Sequence, residues 1–493
     1  MLSDVLAGSG LSAAAAASAA AILLPPGRLR AVLMVAAMAL FPVLILGDQW
    51  HTAQIVDLRH DEGRILALLA LAAAVVGALT YAFRRWPILM PLAIVFAIPF
   101  RVPLEAGGDT ANLLVPLYLV IAAAVVATLL RDWTDPPPGH PPRALAWLLA
   151  AAVLLFALQA LYSEDFSKGL QNVCFFFVPF TLAYRLLREV EWDARLLRWA
   201  LVVIGVEAVA FVLVGGVEYL SRSLFWNDQI IRSNEFHTYF RVNSVFWDPN
   251  VYGRYLALVT TIATAAMLWA RSRDGFWLLT GLIAVLWLGL VPTYSQSSFL
   301  ALLAGLAVLA AIRWSPKWTL AAVVVGLVAA VLVVLLVGGS GKITSDRLNV
   351  DLSGRGSLVS GGADLFAERP VWGYGSGSFQ AAYRDHRENK DAPVTVSHTE
   401  PVTVAAEQGL LGLLVYFALI IVALVTLGRG LFSASPIALA ARAAILAAFV
   451  ALLVHTLAYA GFFEDPITWL LLAVGASLAH AAAGDDPVIR RHA

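Results

Sequence analysis

The sequence predicts an all-α fold, a polytopic bundle of about fourteen membrane-spanning helices with two long loops on one face. Three observations predict it. Hydrophobic residues make up 60% of the 493 and charged residues 13%, against roughly 45–50% and about 25% in a soluble domain. Apolar runs of spanning length, about 20 residues, recur along nearly the whole chain, as at 65–83, 144–162 and 320–337. These runs are continuous rather than alternating, which selects helices over barrel strands.

Taken in order, the expected spans lie near 5–24, 28–47, 64–84, 86–104, 112–130, 144–162, 170–187, 197–216, 251–270, 276–293, 298–313, 319–337, 409–428, 439–459 and 466–483. The first is largely alanine, and it lacks the basic leading segment of a secretory signal. The fourth contains Arg101 with Pro91, Pro99 and Pro103. The expected organisation is 1–216 N-terminal spans, 217–250 an external loop, 251–337 further spans, 338–408 a large external loop with short helices, and 409–493 C-terminal spans.

Orientation follows from arginine and lysine in short connections. Alternate connections carry Arg28 and Arg30; Arg84 and Arg85; Arg131 and Arg143; Arg185, Arg188, Arg195 and Arg198; Arg271 and Arg273; Arg313 and Lys317; Arg429 and Arg442; Arg490 and Arg491. These are assigned to the cytoplasm, which puts both long loops outside. The expected location is the bacterial cytoplasmic membrane, with any active site facing the exterior or periplasm.

Several classes are excluded or disfavoured. With 33 basic and 33 acidic residues the chain is no general nucleic-acid binder. Cys174 is the only cysteine, so it forms no intrachain disulfide and no cysteine metal cluster; in its apolar run it reads as an inert buried thiol. No Walker or dinucleotide-binding glycine motif is present, so ATP-driven chemistry on the inner side is not expected.

The unusual residues lie in the external loops. RVNSVFWDPNVYGRYLAL contains Arg241, placed beside aromatics where a guanidinium binds phosphate or anchors at the interface. Asp248 before Pro249 reads as a helix N-cap. Arg254 lies inside the start of a span, where a charge is costly and marks either function or snorkelling. Between Arg355 and Arg369, SLVSGGADLFAE fits a short amphipathic helix, and the glycines of GYGSGSF permit tight turns. His398 is a candidate general base, although a lone histidine is commonly structural. Glu407 either orients it or sits near a helix start for the dipole. No HExxH-type metal spacing occurs, so no metal or cofactor is expected.

Taken together these segments resemble the O-antigen ligase and O-antigen polymerase family of polytopic membrane glycosyltransferases. RVNSVFWDPNVYGRYL resembles the family's Arg-x-x-Gly-x-Phe-x-x-Pro-Asn segment. TYSQSSFLALLAG resembles its Thr-x-Ser-Arg segment. GRGSLVSGGADLFAERPVWGYGSGSF resembles its Arg…Pro-x-x-Gly-x-Gly-x-Gly-x-Phe segment. SHTEPVTVAAEQGLLGLLVYF resembles its His-Asn…Glu-x-Gly-x-x-Gly segment. The resemblance runs from about 241 to 417. It implies the C-type glycosyltransferase fold and metal-independent, inverting transfer of a glycan from undecaprenyl pyrophosphate. The acceptor hydroxyl belongs to a sugar on a glycan or lipid-linked acceptor. The resemblance also implies contact with membrane lipids and a chain-length regulator as a further partner. Carried over by position, Arg241 and Arg355 contact the pyrophosphate and His398 is the base; Glu407 is a further candidate catalytic residue, and Arg254, Arg369 and Asn250 are further candidates for binding pyrophosphate or glycan, Arg254 or Arg369 in compensation for Gln296. Four positions depart from the pattern: Gln296 replaces arginine, Thr399 replaces asparagine, and Asn243 and Ser244 replace the glycine region. Two other classes remain open, a precursor transporter or flippase and a non-catalytic scaffold of an assembly complex. Pro91, Pro99, Arg101, Glu207 and His455 favour the transporter, since broken helices and buried ionisable groups mark transport sites.

Overall fold

The computed structural model describes residues 2–50, 52, 55–57, 60–106, 109–137, 142–236, 239–325, 355–386, 397–433 and 435–484. Part of the expected span 319–337 and residues 338–354 and 387–396 of the long loop lie outside the described residues. Eleven described helices are long and apolar enough to cross a membrane, and three more are apolar but shorter.

The bundle opens with α1 (Leu2–Leu23) and α2 (Arg28–Asp48), followed by α3 (Glu62–Arg85) and α4 (Leu89–Ala97). A two-stranded antiparallel hairpin, β1 (Val102–Ala106) and β2 (Asp109–Leu113), pairs Val102 with Leu113. Next come α5 (Val115–Thr134), α6 (Ala144–Ala160), and α7 (Phe166–Arg188), which contains a π turn at Val173–Phe177. After α8 (Ala194–Ser221) and the short α9 (Asp228–Phe236) the chain forms α10 (Pro249–Leu268), α11 (Arg273–Leu290), α12 (Gln296–Arg313) and α13 (Pro316–Val325). Two short helices, α14 (Arg355–Glu368) and α15 (Phe379–Asp385), precede α16 (Glu400–Gly428), α17 (Pro436–Thr456) and α18 (Pro466–Gly484).

The alanine-rich α1 is a genuine part of the core. Its small side chains let it pack closely on α2, α6 and α7, with Leu11, Ala14 and Ala15 fully buried, as close helix approach in lipid requires. Around α10 a second group forms from α11, α12 and α17. By contrast α3 turns Leu66, Leu68, Leu69 and Leu71 outward, an apolar face suited to lipid.

The fourth expected span, 86–104, does not form. Pro99 lacks an N–H and obstructs the preceding turn, so α4 stops after nine residues. The chain then goes into the hairpin. This hairpin is the exception to an otherwise helical fold. A second departure concerns α16, which begins at Glu400 rather than near 409 and bends at Gly409 (φ +63°).

The basic connections gather at one end. Buried Arg30 pairs with Asp132 and Glu189. Arg131 joins Asp132 at 2.9 Å, and Arg185 joins Glu189 at 2.7 Å. Arg143 meets His480 at 2.8 Å, and Arg28 stacks on Trp133. Arg442 donates to the carbonyls of Leu427, Arg429 and Gly430, which end α16. Exposed Trp86, Trp133, Trp314 and Trp318 ring this end, while Trp50, Trp226 and Trp372 ring the other. Such aromatic belts mark the two faces of a bilayer. Cys174 is buried within the π turn.

Candidate active site

Every motif segment folds onto the end opposite the basic connections. The local backbone there is unusual. Among the described residues, non-glycine positive φ occurs at Arg222, Asn227, Ser244, Tyr294 and His398, all at this end. Such conformations are held by surrounding structure and concentrate at functional sites.

The RVNSVFWDPN segment is pinned before it enters α10. Glu218 accepts from the backbone N–H groups of Asn243 (3.1 Å) and Ser244 (2.7 Å). Asp248 caps α10 through the Asn250 N–H at 2.6 Å. Arg241 Nε donates to the Thr293 carbonyl at 2.9 Å, and its Nη2 donates to Asn250 Oδ1 at 3.2 Å. Arg241 is therefore tied to the α11–α12 turn, where Ser295 caps α12. One helical turn beyond Asn250, on the same face, Arg254 is buried and pairs with Asp465 at 2.9 Å.

The meeting point is Tyr459, in the connection between α17 and α18. Its ring lies 6.2 Å from that of His398 and 5.8 Å from that of His455. The Arg254 guanidinium is 5.9 Å from the same ring. Burial, then the Asp248 charge, pushes the Tyr459 phenol above its ordinary range. His455 Nε2 lies 3.2 and 3.3 Å from the hydroxyls of Ser297 and Ser298.

His398 is half-buried at φ +61°. Ser397 Oγ bonds Thr403 Oγ1 at 2.7 Å, and Thr399 Oγ1 donates to the Leu457 carbonyl at 3.1 Å. Glu400 accepts from Gly461 N (2.7 Å) and Phe462 N (3.1 Å). These bonds fasten the histidine turn to the connection carrying Tyr459, Glu464 and Asp465. Thr399, where the family pattern has asparagine, thus has a structural bond of its own.

Glu407 has a different neighbourhood. Its two carboxylate oxygens accept the Gly377 N–H at 2.8 Å and the Phe379 N–H at 3.1 Å. This anchors the glycine loop on α16 and supports a positioning part rather than orientation of His398. Close approach explains the glycines. A Cβ on Gly375 (φ +98°) would stand 2.3 Å from Ser163 Cα, and one on Gly373 would stand 2.3 Å from the Glu407 carbonyl oxygen.

Arg369 is exposed, stacks 4.0 Å over the Tyr374 ring and pairs with Glu164 at 3.1 Å. These contacts brace the glycine loop, away from the Tyr459 centre. Arg355 opens α14, and its side chain lies outside the described residues. Gln296 is exposed at the start of α12.

Beside the histidine turn a cavity of about 120 Å³ is lined by Lys168, Asn172, Gln380, Glu400, Glu464 and Phe463, among others. Glu464 combines open surface with dense surrounding protein, and burial pushes its carboxyl up. A larger hollow of about 560 Å³ lies between α14 and α15, lined by Asp364, Glu368 and His386. Its described lining contains no arginine, so it does not suit an anionic donor. Among the described residues no three His, Cys, Asp or Glu side chains group as a metal would need.

With four motif segments converging at one end, the comparison with known families bears directly on the site. Residues 281–417 match the family model described as O-antigen ligase. None of the curated proteins compared with the chain matches it. The matched segment runs from within α11 to within α16 and contains the serine turn, the glycine loop, His398 and Glu407. Arg241, Asn250 and Arg254 precede it, and Tyr459 and Asp465 follow it. The match supports a multi-pass membrane enzyme of O-antigen or related polysaccharide assembly.

Sequence reasoning missed Tyr459, Asp465, Glu400 and Glu464. A signal existed: the tract YAGFFEDP holds two acids and a tyrosine between apolar runs. The partners of those residues are distant in sequence, so their roles had no local pattern.

Proposed function

We propose that this protein is a membrane glycosyltransferase that moves a glycan from an undecaprenyl pyrophosphate-linked donor to a sugar hydroxyl at the exterior face of the bacterial cytoplasmic membrane. The observation that carries the reading is the meeting of His398 and Arg254 over Tyr459, with Arg241 and Asn250 bonded one turn away. That constellation sits at the end opposite the basic connections, which the positive-inside rule assigns to the exterior.

In the mechanism, His398 takes the proton of the acceptor hydroxyl as its oxygen attacks the anomeric carbon. The bond from that carbon to the pyrophosphate oxygen breaks with inversion, and undecaprenyl pyrophosphate leaves with the electron pair. Arg254 and Arg241 stabilise the negative charge that develops on the leaving group. Arg355 belongs to the same anion set through its motif position. Arg369 and Glu407 hold the glycine loop that bounds the site. Pairing with Asp465 at 2.9 Å holds the Arg254 guanidinium in one orientation, as a preorganised anion site needs.

The test is glycan transfer by purified protein given an undecaprenyl pyrophosphate-linked oligosaccharide, with EDTA present. The expected result is transfer in the wild type and its loss in His398→Ala. Longer lipid-linked products would identify a polymerase; transfer only to an added lipid acceptor would identify a ligase. Transfer that survives His398→Ala would remove the histidine as base. Absence of transfer with a native donor and either acceptor would refute the enzyme reading.

A further inference from the structure

Arg101 has no part in the motif segments, yet the fold delivers it to them. Pro99 ends α4 halfway along the expected span, and Arg101 lies at the break, just before the hairpin. The neighbouring Phe100 ring packs 4.9 Å from Phe96 and 5.9 Å from Phe211, against the apolar cluster that includes Phe246 and, on α10, Tyr252 and Tyr255. The Arg101 guanidinium lies within electrostatic reach of Asp465, Arg254 and Tyr459, and of Tyr118 on α5.

Two cations lie here among Asp465, Glu464 and Glu400, and Glu400 and Glu464 accept from Gly461, Phe462 and Asn172 rather than from either arginine. Asp465 already uses Oδ2 for Arg254 and Oδ1 for the Ile467 N–H. Among the described residues, buried Arg101 Nε and buried Arg254 Nη1 have no hydrogen-bond partner, although buried donors are ordinarily satisfied. Arg254 itself is only 4% exposed. Gly461, φ +133°, faces Arg254 Nη1, and even an added Cβ would be 3.9 Å away, so room remains at that donor. Two guanidinium groups with unused N–H donors suit an anion with several oxygens and more than one charge. A charged residue at the break of an apolar segment is costly and marks function by default.

We propose that Arg101 completes the diphosphate site, gripping with Arg254 the diphosphate of the lipid-linked donor. The inference rests on the transferase reading above and assigns its anion subsite a residue from the N-terminal half of the chain. Arg101 binds the donor; it moves no proton.

The experiment measures binding of undecaprenyl diphosphate and undecaprenyl monophosphate to the full-length protein in nanodiscs, with inorganic pyrophosphate as competitor. Arg101→Gln is expected to weaken diphosphate binding roughly 10- to 100-fold, as loss of a charge-assisted contact does, with monophosphate binding unchanged within about twofold. Arg101→Lys keeps the charge without the planar fork and should fall between. His398→Ala should keep diphosphate binding while losing transfer. Wild-type diphosphate binding in Arg101→Gln, with transfer intact, would overturn the inference and leave the transferase standing. Equal loss of both lipids with a lowered thermal midpoint would make Arg101 structural and also overturn it. Inorganic pyrophosphate competing as well as the lipid would assign the site to the free anion, against the proposal. Wild type that neither binds undecaprenyl diphosphate nor transfers glycan would overturn both readings together.

Discussion

Replacing Glu407 by glutamine separates an anchor from a catalyst. The carboxylate accepts two buried N–H groups of the glycine loop, one on each oxygen. An amide offers one acceptor and turns its NH2 toward the other N–H. One buried donor is then unsatisfied, which costs about 1–3 kcal/mol. Glu407→Ala strands both donors, so its cost is about 2–6 kcal/mol before any cavity is counted. The loop has few alternatives, because Gly375 N and Tyr374 N already bond the carbonyls of Glu407 and Ala406 at 2.8 and 3.0 Å. Thermal unfolding in detergent should therefore rank wild type, then Gln, then Ala. Protease cleavage within the Gly373–Phe379 loop should rise in the same order. Transfer activity, measured well below the lowered midpoint, should be retained in Glu407→Gln to the extent that the loop remains docked. A glutamine variant as stable as wild type but inactive would refute the anchoring argument and make Glu407 part of the chemistry.

Three further outcomes follow from the geometry. Gly375→Ala should fail to fold normally, since its Cβ would meet the Ser163 backbone at 2.3 Å, whereas Gly216→Ala, with open space around it, should be neutral or stabilising by up to about 1 kcal/mol; expression and size-exclusion profiles distinguish them. Asp465→Asn should destabilise by about 3–5 kcal/mol, because it leaves Arg254 buried without its counter-charge, and adding Arg254→Gln should cost less than the sum of the two singles, which a thermal-melt cycle measures. The α14–α15 contact should depend on pH: the bond to the Ala382 carbonyl foremost, and the Glu368 charge, raise His386 above 6.5, while the Tyr374 hydroxyl, then His386, holds Glu368 below 4.5. The histidine contribution is complete below 6.5 and fades as pH rises through the raised value; the carboxylate contribution is complete above 4.5 and fades as pH falls through the lowered value. Hydrogen-exchange protection of Arg355–His386, corrected for the intrinsic pH dependence of amide exchange, should accordingly be highest between those limits, and a flat profile would count against the pair.

Several residues were legible before the fold was known because their signals are local. Pro249 after Asp248 announced the start of α10, and the cap bond to Asn250 is there. Three prolines and Arg101 marked the fourth apolar run as irregular, although hydropathy alone made it a span. Hydropathy averages over a window, so it cannot register that one proline removes a donor and obstructs a turn. For Glu407 the sequence left two readings, orienting His398 or sitting near a helix start, for the converse reason. Nine positions after His398 in sequence, it lies on α16 facing Gly377 and Phe379, and nothing in its own surroundings names those partners.

The sequence by itself determined that the chain is a helical membrane bundle, which connections are basic, and which segments carry the unusual residues. Each of these follows from composition, or from spacing within a few turns, where backbone satisfaction in lipid leaves helices as the only continuous solution. Only the tertiary structure decided that Arg254 is held by Asp465 and that Tyr459 is shared by His398, His455 and Arg254. It alone also decided that a broken helix from the N-terminal half brings Arg101 to the same place. Those contacts join helices remote in sequence, and side-chain packing between helices, rather than any periodicity along one of them, selects the partners.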